Sequence, residues 1–118
     1  MLNINGNTRI LIKILVDRAY ENKIFLEEMY EIMEGKKSPI GDNPDYCCHI
    51  KDGYRVVFSV EQHPSTLMKH ISISHNGKIP EVEDVRVIIK EFGFKSKLEH
   101  CVVYREGDLA VNLMEAAI

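Results

Sequence analysis

Much is missing from this sequence, and each absence narrows what the protein does. Positive charge is not in excess: 15 Lys and Arg stand against 18 Asp and Glu, a formal net charge of −3. No overall basic field is present to hold a polyanion, which argues against nucleic-acid binding while leaving room for a local patch. No apolar run approaches the ~20 residues needed to span a bilayer. The opening Met1-Leu2-Asn3-Ile4-Asn5-Gly6 lacks the basic region and apolar segment of a secretory leader. These absences together predict a cytoplasmic protein with no membrane partner. Cysteine is sparse: Cys47, Cys48 and Cys101 are odd in number and lack the spacing of a disulfide framework. Reduced thiols are therefore expected. Low-complexity tracts and internal repeats do not occur.

What remains is the composition of an ordinary globular protein, with 45% apolar and 28% charged residues in 118. That length supports one domain, 1–118, with a core that needs no covalent staples. Residues 8–34 carry helical spacing: Arg9, Lys13 and Asp17 recur every four residues, with Ile10, Leu11, Ile14, Leu15 and Ala19 on the remaining surface. Asn7-Thr8 suits the helix start. The pattern loses phase near Asn22 and resumes with Ile24, Phe25, Met29, Ile32 and Met33, so two helices, or one broken helix, are expected. Gly35, Pro39 and Pro44 mark residues 35–44 as a linker between layers. A short strand at 46–50 then turns through Lys51-Asp52-Gly53, where the Asp-Gly pair supplies positive φ.

The clearest unit runs from Tyr54 to Phe94. Two alternating strands, 54–62 and 68–74, flank a break at His63-Pro64-Ser65-Thr66. A turn at His75-Asn76-Gly77-Lys78 leads to a helix opening at Pro80, with Val82, Val85, Ile88, Ile89 and Phe92 on one side and Gly93 at its end. Strands at 98–104 and 109–114, joined by Arg105-Glu106-Gly107-Asp108, complete the chain. The expected fold is α+β: two N-terminal helices, then β-β-β-α-β-β, with helices packed on one face of a mainly antiparallel sheet.

Pairing Gln62 with Leu67 sets Phe58 opposite Ile71 and Val56 opposite Ile73. On the other side Glu61 meets Met68, Ser59 meets His70, Val57 meets Ser72 and Arg55 meets Ser74. A one-residue slip would set apolar positions against polar ones, so this register is favoured. Val57 on the polar side and Lys69 on the apolar side are its two imperfections. The apolar face belongs under the helices. Arg55, Ser59, Glu61, His70, Ser72 and Ser74 are then left on the open face as candidate binding residues. The ordinary role of such a face is contact with water; its other roles are recognition of a partner and homodimerisation, through the face itself or an exposed sheet edge.

Catalytic and metal chemistry find little support. Cys47-Cys48-His49 superficially resembles a metal motif, but neighbours in a strand point to opposite sides, so at most Cys47 and His49 share an ion. A structural zinc site needs four ligands, and no spacing aligns His63, His70, His75, His100 or Cys101 with them. Buried cysteines serving as small hydrophobes are the simpler reading. Ser59, His70 and Glu61 supply the residue types of a nucleophile, base and orienting carboxylate. A flat sheet surface neither excludes water nor offers spare backbone donors for an oxyanion. Hence no catalytic residue, no metal ligand and no cofactor are expected.

The run Tyr54-Arg55-Val56-Val57-Phe58-Ser59-Val60-Glu61-Gln62-His63-Pro64, the strand Lys69-His70-Ile71-Ser72-Ile73-Ser74, then Lys78-Ile79-Pro80 and the helix end Glu91-Phe92-Gly93-Phe94 are similar to those of small uncharacterised proteins of bacteria and their phages. The resemblance covers about a third of the chain and implies kinship and a mobile-element origin, with no residue roles. The residues together point to a non-enzymatic binding module that associates with itself or with a protein partner. A small hydrolase or metal-dependent enzyme using the sheet histidines is the competing reading.

Overall fold

The computed structural model of the protein describes residues 2–21, 47–63, 65–95 and 110–117. Helix α1 spans Gly6–Glu21. Strands β1 (Cys47–Ile50), β2 (Tyr54–His63) and β3 (Thr66–His75) follow. Helix α2 spans Val82–Glu91 and strand β4 Val111–Ala116. Among the described residues the strands form one four-stranded sheet in the order β1-β2-β3-β4, antiparallel at every pairing. The fold is α+β. The helix expected beyond Asn22, the linker at 35–44 and the strand at 98–104 lie outside the described residues.

The β2–β3 register is the one that hydrophobic matching demands: Phe58 pairs with Ile71, Val56 with Ile73, Ser59 with His70 and Arg55 with Ser74. Alternation then sends Tyr54, Val56, Phe58, Val60, Ile71 and Ile73 to one side, where all are buried with Val85, Ile88, Ile89 and Phe92 of the α2 region. The Phe58 ring is ringed by aromatics, with centroids at 5.6 Å to Phe92, 6.3 Å to Phe94 and 6.5 Å to Tyr20. Helix α1 covers β1 and β2, and both helices contribute to the same core.

Several local expectations need correction. The cap of α1 is Asn5, whose Oδ1 accepts the Thr8 N–H at 2.9 Å, so Asn7 and Thr8 lie inside the helix. Only Leu15 and Ala19 of the five expected apolar residues are buried, together with Ile12; Ile10, Leu11 and Ile14 are exposed. The stripe Ile12-Leu15-Ala19 follows the i, i+3, i+7 rule, which the surplus aliphatics obscured in the sequence. Helix α2 begins at Val82, with Glu81 at the N-cap, so Pro80 precedes the helix and Val82 stays 52% exposed. The closing strand is β4, two residues later than the pattern placed it.

The end of α2 explains Glu91-Phe92-Gly93-Phe94. Gly93 adopts φ 82°, its N–H donates to Lys90 O at 3.0 Å, and the Phe94 N–H donates to Ile89 O at 2.9 Å. This pair of bonds is a Schellman motif, which closes the last turn and folds Phe94 back onto the core. Lys69, the charge on the apolar face, is satisfied by the same feature. Its Nζ donates to Gly93 O at 2.7 Å, pairs with Glu115 at 2.9 Å and lies 4.9 Å from the Phe94 ring centroid. A buried cation so compensated does not break the face.

Candidate functional site

The outer face of the sheet is built by register alone. The six expected residues, Arg55, Ser59, Glu61, His70, Ser72 and Ser74, all lie on it, and each is partly accessible. The face runs in rows across the strands: His49, Arg55 and Ser74; then Cys47, Val57, Ser72 and Asn112; then Ser59, His70 and Met114; then Glu61, Met68 and Ala116. It is therefore mixed, with Val57, Met68 and a 51% exposed Met114 among the polar groups.

At its centre His70 Nε2 lies 3.5 Å from Glu61 Oε2, with both side chains about a third exposed. A contact this open is strongly screened by water. His70 turns to the diagonal carboxylate, and in the ladder it sits between Ser59 and Met114. Cys47 is partly accessible on this face, whereas Cys48 is buried on the other. Burial, and then the neighbouring Cys47, push the Cys48 thiol above its ordinary value, so it is a poor thiolate. Among the described residues no group of three or more His, Cys, Asp and Glu is placed to hold a metal ion.

One end of this face holds residues that the hairpin argument missed. A depression of ≈ 390 Å³ is lined by His49, Ile50, Gly53, Tyr54, Arg55, Ser74, Asn76 and Gly77. Two turns form its walls. In one, Asp52 and Gly53 have φ 68° and 86°; in the other, Asn76 and Gly77 have φ 47° and 73°. Each turn uses the residues that tolerate the left-handed region. The turns are locked together: His75 Nε2 bonds Asp52 O at 2.8 Å, and a Cβ at Gly53 would run into the Asn76 side-chain amide. The carbonyl can only accept, so Nε2 is the donor of this bond. Nδ1 is buried with no hydrogen-bond partner. The signal for this end was in the sequence, since a three-residue turn at Lys51-Asp52-Gly53 sets His49 opposite Arg55.

Beneath the turns lies a second group that sequence patterning did not reveal. The His75 ring stacks on Tyr54 with centroids 3.9 Å apart. Tyr54 Oη donates to Asp84 Oδ2 at 2.7 Å, and the Leu2 N–H donates to Asp84 Oδ1 at 2.7 Å. Burial opposes the charged form of Asp84, but these two donors together with further electrostatic attraction hold the carboxyl below its ordinary value. Burial first, then the hydrogen bond to Asp84, push the Tyr54 phenol up to about 12. Both groups are enclosed, so the arrangement joins the residues ahead of α1 to β2 and α2.

Comparison with known proteins adds one relative. The chain is similar to an uncharacterised protein of Acanthamoeba polyphaga mimivirus, 29% identical over 107 residues that cover 81% of this chain and 75% of that protein. No protein-family model matches the chain, and no solved structure matches it. The similarity is thus to a viral protein. Among the described residues, no helix is long and apolar enough to cross a membrane.

Proposed function

We propose that the protein is a small non-enzymatic binding module acting through the outer face of its sheet, where it meets a second copy of itself or another protein. The observation that carries this reading is the composition of the face. Arg55, Glu61 and His70 are interleaved with Val57, Met68 and Met114 on one continuous surface opposite the core. Methionine, arginine and apolar groups ringed by polar ones are the make-up of protein interfaces. A cytoplasmic setting and descent from a phage or other mobile element belong to the same proposal, the viral relative supporting only a viral connection.

The test compares Arg55→Ala and His70→Ala with the wild type by light scattering for self-association and by thermal melting for folding. Both variants should keep the melting midpoint, since surface truncations of this kind usually change stability by no more than about 0.5 kcal/mol. Arg55→Ala should weaken association by about 2 kcal/mol, the scale of an interfacial hot spot. A monomeric wild type that captures no protein through this face would refute the reading.

A further inference from the structure

We infer that the depression between the two turns is a binding site for an oxyanion, of the chemical class of a small phosphate monoester. The inference shares Arg55 and Ser74 with the binding face but requires no macromolecular partner, so it stands or falls separately. Its basis is the convergence of donors from three strands and a turn: His49 on β1, Arg55 on β2, Ser74 on β3 and Asn76 beyond it all line one hollow. No carboxylate is among the described residues that line it. Arg55 gives this hollow a cationic side chain. In a chain of net charge −3, such a local gathering of donors around a cation is where an anion collects.

The number of donors favours a ligand with several oxygens over one with two. His49, Arg55 and Ser74 occupy one row across three adjacent strands, about 5 Å apart from strand to strand. Their side chains leave the same face side by side, and Asn76 borders the hollow from the turn, so four polar side chains are available to one ligand. A carboxylate offers two coplanar oxygens, whereas a phosphate monoester offers three that diverge. Arg55 brings a planar fork of donors suited to phosphate. It already interacts within the chain, so an arriving anion adds to or exchanges with that contact. The turns are also held before any ligand arrives, by the His75–Asp52 bond and the seating of Asn76 against Gly53. Preorganised donors lose little freedom on binding. The volume of ≈ 390 Å³ exceeds one phosphate group and leaves room for the organic part of a monoester.

The test is a titration of the isotopically labelled full chain with inorganic phosphate, then with glycerol phosphate, at ionic strength held constant with sodium chloride. Amide resonances of His49, Arg55, Ser74, Asn76 and Gly77 should shift saturably. Asn76→Asp keeps a residue that tolerates positive φ but sets a like charge in the hollow, and should weaken binding at least about tenfold. Arg55→Gln should weaken it comparably, and Lys13→Ala, on the helical side, should leave it unchanged. Melting curves confirm that each variant is folded. Shifts that grow linearly without saturating overturn the inference, as do shifts that sodium chloride reproduces or that persist in both hollow variants. Tight phosphate binding by a chain that neither self-associates nor captures a protein would keep this site and remove only the proposed protein interface.

Discussion

Tyr54 shows how much one side chain can decide. Its phenol is enclosed, donates to the Asp84 carboxylate at 2.7 Å and supports the His75 ring 3.9 Å away. A hydrogen bond to a charged group is worth about 1.5–3 kcal/mol, and Tyr54→Phe should cost that much at neutral pH. The penalty should depend on pH in a defined way. The folded phenol is raised to about 12, above an unfolded value near ~10. The stability it adds is therefore complete below the unfolded value and is lost as pH rises through the folded one. Urea melts of wild type and Tyr54→Phe should converge between about pH 10 and 12. A constant gap across that window would mean the phenol does not ionise differently on unfolding. Asp84 has the opposite sign. Its folded value is depressed, so its contribution is present above the unfolded carboxylate value and disappears as pH falls through the folded one. Asp84→Asn should lack that acid-side loss. Phe58 is a simpler case: fully buried among Tyr20, Phe92 and Phe94, it should cost about 3–5 kcal/mol on truncation to Ala in the same melts.

Helix α2 and its cap connect local sequence to packing at the scale of an element. The acids Glu83 and Asp84 occupy the first turn and Lys90 the last, in the sense the helix dipole favours. Asp84 serves twice, because the same carboxylate reaches Tyr54 across the core. At the other end, a Cβ on Gly93 would meet nothing closer than Lys69 Nζ at 4.0 Å. The penalty for Gly93→Ala is therefore the left-handed backbone alone, about 1–2 kcal/mol, readable as a lowered denaturation midpoint. Gly53→Ala should cost more, since strain is joined there by displacement of the Asn76 side chain. Equal losses at the two glycines would mean that Asn76 moves aside freely and that the two turns are not interlocked.

The sheet sorts the described residues into two sides, an inner one that forms the core and an outer one proposed to bind. The inner side holds both described helices and a single core. The outer side holds a mixed surface with a basic hollow at one end. Changes on the outer side should spare folding and alter binding: His70→Ala should melt with the wild type while weakening association, and Asn76→Asp should melt likewise while losing phosphate. Changes on the inner side should do the reverse. One pair of readouts, the melting midpoint and the affinity, thus separates the two sides. A large loss of stability in His70→Ala would show that this face is part of the folding core.

The strand register, the two sheet faces, the turns and the end of α2 were legible in the sequence because each follows from short-range physics. Alternation has a period of two, so one slip of β2 against β3 would reverse every side chain. Asp52-Gly53, Asn76-Gly77 and Gly93 mark backbone that other residues resist. What the tertiary structure alone decided were matters of competition and distance. Helix α1 carries more aliphatic residues than its core contact uses, so only packing selects Ile12, Leu15 and Ala19 over Ile10, Leu11 and Ile14. Lys69 reads as an error in the apolar pattern until Gly93 and Glu115 come within reach of its ammonium group. Leu2, Tyr54 and Asp84 are far apart along the chain, and nothing in the periodicity of any one segment brings them together. The basic hollow likewise needs two turns from different parts of the chain placed side by side, because a concave site exists only after its walls have packed.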